Sequence, residues 1–150
     1  MKRFIDNDGL FELKVPLNWV YSLNDKKVHT FTGQESLAFE IFQISFRDFY
    51  KKDTKYDLEK LNAVTIGKYL CYCAPDIEDE ESILKSWISC IDARLVYFTL
   101  TISKNINESL LSQKINTVHN VIAEFKFIEE NERISKVNSY RFSMFIKGVA

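Results

Sequence analysis

The residue types that do chemistry in a folded chain are sparse here. Two histidines, His29 and His119, and three cysteines, Cys71, Cys73 and Cys90, are present. A histidine can act as a general base or a metal ligand. His119 flanks the apolar stripe of a candidate helix, and His29 lies in a candidate hairpin strand. Both read as boundary residues of packed elements. Cys71-Tyr72-Cys73 offers two soft ligands for zinc. A structural zinc site needs about four, commonly from two spaced pairs, and only Cys90 and the separated histidines remain to complete one. The three thiols are therefore expected to be small, buried strand residues. A nucleophilic cysteine needs an adjacent base and an activating environment, and the sequence offers neither. It also has no Gly-rich phosphate loop, nucleophile elbow or paired-carboxylate signature. The expectation is a protein with no catalytic residues, no metal and no cofactor.

Two denser sets suit binding better. Asp76, Glu78, Asp79, Glu80 and Glu81 form an acidic run. It lacks the ligand alternation and glycine of a calcium loop. A solvated hairpin tip is the default reading, and contact with a basic partner is the alternative. The aromatics Trp19, Tyr69, Tyr72, Trp87 and Tyr97 either pack a core or anchor an interface. The candidate partner-binding residues are thus Tyr69, Tyr97 and Trp87, with the acidic run.

These residues must be positioned by regular elements. Residues 10–15 alternate and then meet Pro16, as a strand entering a turn does. Residues 19–23 and 28–32 read as a hairpin around Asn24-Asp25-Lys26-Lys27. A long strand is expected over 36–46, apolar on both faces, and a first helix over 54–63. Residues 65–74, 83–91 and 94–103 are rich in β-branched and aromatic residues and predict a three-stranded meander. Its first loop holds the acidic run, and its second is a tight turn at Asp92-Ala93. Pairing Ala74 with Ile83 and Ile91 with Arg94 puts Leu70, Trp87, Val96, Phe98, Leu100 and Ile102 on one apolar face. Tyr69, Cys71, Ser86, Ile88, Tyr97, Thr99 and Thr101 then share the other, an adaptable face with Tyr69 and Tyr97 as anchors. A one-residue slip exchanges those faces.

The strongest helix signal runs from Asn107 to about Lys126. Asn107 suits an N-cap, and Ile106 with Leu111 has the spacing of a hydrophobic staple. Leu111, Ile115, Val118, Ile122 and Phe125 form the stripe expected to dock on the sheet. Beyond a polar break at 129–132, residues 140–146 alternate like a strand but also allow a short helix.

Composition bounds the rest. The 150 residues suit one domain, with a core over about 10–127 and a C-terminal extension over about 129–150. Twenty basic against 21 acidic residues give a net charge of −1. No basic excess exists to drive phosphate binding by counterion release, which argues against a nucleic-acid partner. No run approaches the roughly 18 apolar residues of a membrane span. The start turns acidic at Asp6 and Asp8 before any signal-like apolar stretch. Together with the odd thiol count, this gives the expectation of a cytoplasmic, reduced protein.

The opening Phe11-Glu12-Leu13-Lys14-Val15-Pro16-Leu17-Asn18-Trp19-Val20-Tyr21 resembles the strand, Val-Pro, two residues, Trp start of the PsbP/Mog-like fold. That group includes the bacterial DcrB-type proteins. The closing Val118-His119-Asn120-Val121-Ile122-Ala123-Glu124-Phe125-Lys126-Phe127 is similar to the last helix of that fold. The resemblance implies an α+β sandwich, an antiparallel sheet with an N-terminal hairpin and helices packed on it. It implies a non-catalytic protein-binding module, such as a chaperone, an adaptor or an immunity-like partner of a secreted effector. The alternative is a small-molecule or lipid-binding domain with a pocket between sheet and hairpin.

Overall fold

A computed structural model describes residues 1–33, 39–48 and 58–129. The strands are β1 (Lys2–Ile5), β2 (Phe11–Val15), β3 (Trp19–Leu23), β4 (His29–Gly33), β5 (Glu40–Asp48), β6 (Asn62–Ile66), β7 (Tyr69–Glu78), β8 (Ser82–Ile91), β9 (Arg94–Ser103) and β10 (Lys126–Phe127). A short 3-10 turn, Leu58–Lys60, precedes β6, and α1 (Glu108–Glu124) precedes β10. Seven strands form one antiparallel sheet in the order β3-β4-β5-β9-β8-β7-β6. Three more form a small antiparallel sheet, β1-β2-β10. The fold is α+β.

One face of the large sheet carries the main core. Phe42, Ile44, Trp87, Val96, Phe98, Leu100 and Ile102 are buried there, as are Phe11, Leu13 and Val15 of β2 and Val118, Val121 and Ile122 of α1. The small sheet and the helix thus share the covering of that face. Phe125 joins them at the helix end. Its ring lies 5.4 Å from Phe11, 5.3 Å from Phe98 and 5.1 Å from Phe127. The Tyr69 hydroxyl donates to its backbone carbonyl. Asn107 caps α1 as expected, accepting from the Leu110 amide at 2.8 Å. Val118 and Ile122 of the expected stripe are buried, and Leu111 and Ile115 pack at its margin. Within the small sheet, the buried carboxylate of Glu12 is held by Arg3 and Lys126, each at 2.9 Å.

Several elements differ from the sequence expectation. β1 was hidden by its charged first half. The expected helix over 54–63 is not formed in its described part, where the chain makes a 3-10 turn and then enters β6. Asn62 and Ala63 pair with Cys73 and Tyr72, extending the β-branched run Val64-Thr65-Ile66 backward as a strand. The expected strand over 65–74 breaks at Gly67-Lys68, so the meander has four strands. Gly67 has φ +59°, and a Cβ there would lie 2.9 Å from the Ala123 side chain. Turn and helix packing both require glycine at this point. Of the expected strand over 36–46, residues 36–38 lie outside the described residues, as do 54–57 and the segment 140–146.

The pairing of β7 with β8 matters most. Ile91 does pair with Arg94, but Ala74 pairs with Ser86, and Glu78 is the residue opposite Ile83. β7 continues through Pro75 by an irregularity between Ala74 and Ile77, a position that tolerates proline in a sheet. The change of parity exchanges the faces of β7. Tyr69 and Cys71 turn into the core, and Leu70 turns outward, 50% exposed. The opposite face of the large sheet holds a small second cluster of Ala74, Ile88 and Leu95, against which Leu58, Leu61, Tyr72 and Tyr97 pack.

At the edge of the core, Trp19, Gly33 and Glu40 lie side by side on β3, β4 and β5. Gly33 has no side chain, so the Trp19 indole reaches across it and donates to Glu40 Oε1. A Cβ on Gly33 would come within 2.5 Å of Glu40 Cγ. Lys114 of α1 approaches Glu40 Oε2 at 2.6 Å, and both side chains are largely buried. Removing one partner of a buried ion pair leaves an uncompensated charge. Lys114→Met is therefore expected to lose about 3–5 kcal/mol of stability in denaturant melts, and adding Glu40→Gln should recover part of it. A loss as small as that of an ordinary surface substitution would contradict this account.

Asp92 and Ala93 join β8 to β9, with φ of 51° and 60°. Both are left-handed, as a two-residue type I′ turn requires. An alanine in this conformation costs roughly 1–2 kcal/mol relative to glycine. Ala93→Gly should accordingly raise the unfolding free energy by about 1 kcal/mol. An unchanged or lower midpoint would show that the turn is not strained.

Candidate functional site

A cleft of about 410 Å³ opens beside the end of β5 and the start of β9. Two turns form its sides. In the turn between β1 and β2, Gly9 adopts φ +69° and donates its amide to the Asp6 carbonyl at 2.8 Å. This places Asp8 and Leu10 at the cleft. In the turn between β3 and β4, the Asn24 side chain accepts from the Lys26 and Val28 amides at 2.9 and 3.1 Å. Lys27 takes φ 59° beside it. Leu23 and Lys27 line that side. The sheet side comes from the end of β5, with Phe46, Arg47 and Asp48, and from Arg94 at the start of β9. Asp48 and Arg94 are direct cross-strand partners. The Arg94 guanidinium lies over the Phe127 ring, 4.3 Å from its centroid.

His29 closes the inner wall. Its ring packs edge-on to Phe11 at 4.7 Å and parallel to Phe46 at 5.9 Å. Nδ1 lies 2.7 Å from the Tyr21 hydroxyl and 4.0 Å from the Asp6 carboxylate, which is itself buried. Burial pushes the His29 pKa below 6.5, while Asp6 and Asp8 pull it partly back. Burial, reinforced by the same two carboxylates, pushes the Tyr21 phenol up to about 12. The ring is thus a neutral, tethered part of the wall at neutral pH.

The residues singled out from the sequence are dispersed. Tyr69 is buried, with its hydroxyl on Phe125, and burial raises its pKa. Trp87 is buried edge-on to the His119 ring at 5.8 Å. Neither is available as a surface anchor. The correction follows from the parity of β7 for Tyr69. Trp87 already belonged to the apolar face. Tyr97 is half-buried on the opposite face.

The acidic run is a hairpin end rather than a free loop. Asp76 pairs with Lys85 at 2.7 Å and Glu78 with Lys104 at 3.3 Å. The Asp79 carboxylate accepts from the Glu81 and Ser82 amides at 2.8 and 2.7 Å, bonds that lower its pKa. Glu80 and Glu81 are exposed. Of the three thiols expected to be buried, Cys71 is, Cys73 is half-buried and Cys90 is exposed on the strand. Desolvation raises the Cys71 thiol to about 11 and also raises Cys73 and Cys90, which disfavours thiolates. Among the described residues no three His, Cys, Asp or Glu side chains converge as a metal cluster. No helix among them is long and apolar enough to cross a membrane.

Of the cleft residues, sequence reasoning singled out His29 alone. Asp8, Lys27, Arg47, Asp48 and Arg94 sit at turns and strand ends, with no spacing that marks them as a set.

A mixed α+β fold of two antiparallel sheets, with a cleft lined by charges of both signs, is what fold and site define. The chain is similar to a solved protein from Bacteroides thetaiotaomicron, with a TM-score of 0.65 at 20% identity over 87% of this chain. The match takes in 50% of that protein, so this chain spans about half its length. The likeness is one of fold. No family model and no curated protein matches the sequence.

The lowered His29 pKa has a consequence for stability. The unfolded chain takes up a proton near pH 6.5 while the folded chain resists it. Stability is fully present above that pH and falls as the solution is acidified. His119, also lowered by burial, acts in the same direction. Denaturant melts between about pH 7 and 5.5 should show this decline. It should shrink in His29→Gln and shrink further when His119→Gln is added. Rising stability on acidification would refute the assignment.

Proposed function

We propose that this chain is a non-catalytic binding domain that holds a small molecule at the open end of its sandwich. The observation that carries this reading is the cleft itself. Its volume falls in the roughly 300–1,000 Å³ range of small-molecule sites, and its walls combine Leu10, Leu23 and Phe46 with charged side chains on three sides. It lies beside the β1–β2 and β3–β4 turns; the β3–β4 hairpin is itself part of the large sheet, so this cleft differs from the pocket between sheet and hairpin expected from the sequence. His29 supports a binding role over proton transfer, because Tyr21 and Asp6 already engage it within the wall.

A second reading keeps the protein-binding module. It rests on the opposite face of the large sheet, where Leu70 and Ile77 are 50% and 55% exposed and Tyr72 and Tyr97 are half-buried. The PsbP/Mog-like affiliation is a proposal of the same standing. It is supported by Trp19 packing on Phe31 and Phe42 after its Val-Pro turn, and by Phe125 and Phe127 closing the core.

Amide spectra recorded against a chemically broad set of small molecules test the two readings. Shifts confined to Asp8, Leu10, Lys27, His29, Phe46 and Arg94, abolished by Leu10→Trp, are the expected result. Shifts centred on Leu70, Tyr72 and Tyr97 would move the site to the other face, and none at the cleft would end the small-molecule reading.

A further inference from the structure

The charges at the cleft come in both signs, and their arrangement constrains the ligand. Asp48 and Arg94 face each other across β5 and β9. The Arg94 side chain is fixed over Phe127 rather than extended freely into solvent. Asp8 and Lys27 stand on the two flanking turns. Beneath them the wall is Leu10, Phe46 and the neutral His29 ring, itself stacked on Phe46.

A ligand entering this cleft displaces water from carboxylates and cations together. A purely apolar molecule would desolvate them and return nothing. A simple anion would meet Arg94, Arg47 and Lys27 but approach Asp8 and Asp48, and a simple cation would meet the two carboxylates but approach the three cations. A molecule with one group of each sign compensates both sets, and an apolar body fills the space over Phe46 and Leu10.

We propose that the cleft takes a small zwitterion with an apolar body, of the chemical class of a free α-amino acid with an aromatic or aliphatic side chain. Its carboxylate meets the cations among Arg94, Arg47 and Lys27, its ammonium meets Asp8 or Asp48, and its side chain lies against Phe46 and Leu10. This inference rests on the small-molecule reading above and deepens it.

The test uses the intact chain and four probes that share one phenyl body. They are L-phenylalanine, phenethylamine, 3-phenylpropionate and the neutral N-acetyl-phenylalanine amide, each titrated while the cleft amides are observed. L-phenylalanine should bind at least about tenfold more tightly than the other three, the ratio that a single lost charge-assisted contact of about 1.4 kcal/mol produces. Arg94→Gln and Asp48→Asn, checked for fold by circular dichroism, should each weaken it by about tenfold or more. Should either variant fail to fold, Lys27→Gln on the exposed turn serves in its place. Equal or tighter binding of a singly charged or neutral probe at the cleft overturns the zwitterion class while leaving the small-molecule reading intact. No cleft response to L-phenylalanine or L-leucine overturns the amino-acid assignment, and the broader set of molecules then decides the reading beneath it.

Discussion

A carboxylate buried at the edge of an aromatic core must find its partners inside the protein, and Glu40 meets that requirement with two of them. Its oxygens face the Trp19 indole and the Lys114 ammonium. The first contact needs Gly33 between the two strands, since any side chain there would occupy the path. The second ties α1 to the start of β5. An ion pair of this kind adds little net stability over an apolar pair, but it penalises every arrangement that breaks it. The position of the helix along the sheet is therefore specified by a charge as well as by the apolar stripe.

Once α1 is placed, the covering of the large sheet is set. The helix and the small sheet share one face, and Phe125 packs where they meet, between Phe11 and Phe98. The helix delivers the chain directly into β10, which closes the small sheet by pairing with β2. The small sheet reaches the end of β5 and the start of β9 through Phe127, which packs on Phe46 and under Arg94. The cleft opens beside this contact, and its charged residues are those of strand ends and turns, where side chains retain contact with water.

Two groups of charges contrast with each other. Those of the acidic hairpin end are answered locally, by Lys85, Lys104 and the turn amides around Asp79. Those of the cleft gather residues from four separate parts of the chain around an apolar floor. Density of charge in the sequence pointed to the first group. Convergence in space marks the second, which lines the cleft.

Elements governed by local physics were legible in the sequence: the capped helix, the β3–β4 hairpin, the Asp92-Ala93 turn and the alternation of β9. Their signals lie within a few residues of one another, in periodicity, capping and turn chemistry. The strand β1, the four-stranded form of the meander and the faces of β7 were not: Lys2 and Arg3 mask the first, Gly67-Lys68 divides an otherwise continuous β-rich run, and an irregularity between Ala74 and Ile77 resets the parity of the third. A bulge beside Pro75 sufficed to turn Tyr69 inward and Leu70 outward. The cleft was least legible of all. Residue types and spacing determined that the chain folds as a mixed α+β domain with an aromatic core and few reactive groups. Tertiary structure alone decided that Asp8, Lys27, His29, Asp48 and Arg94 surround one space, because no local rule relates a turn, a strand end and a strand start that only sheet pairing brings together.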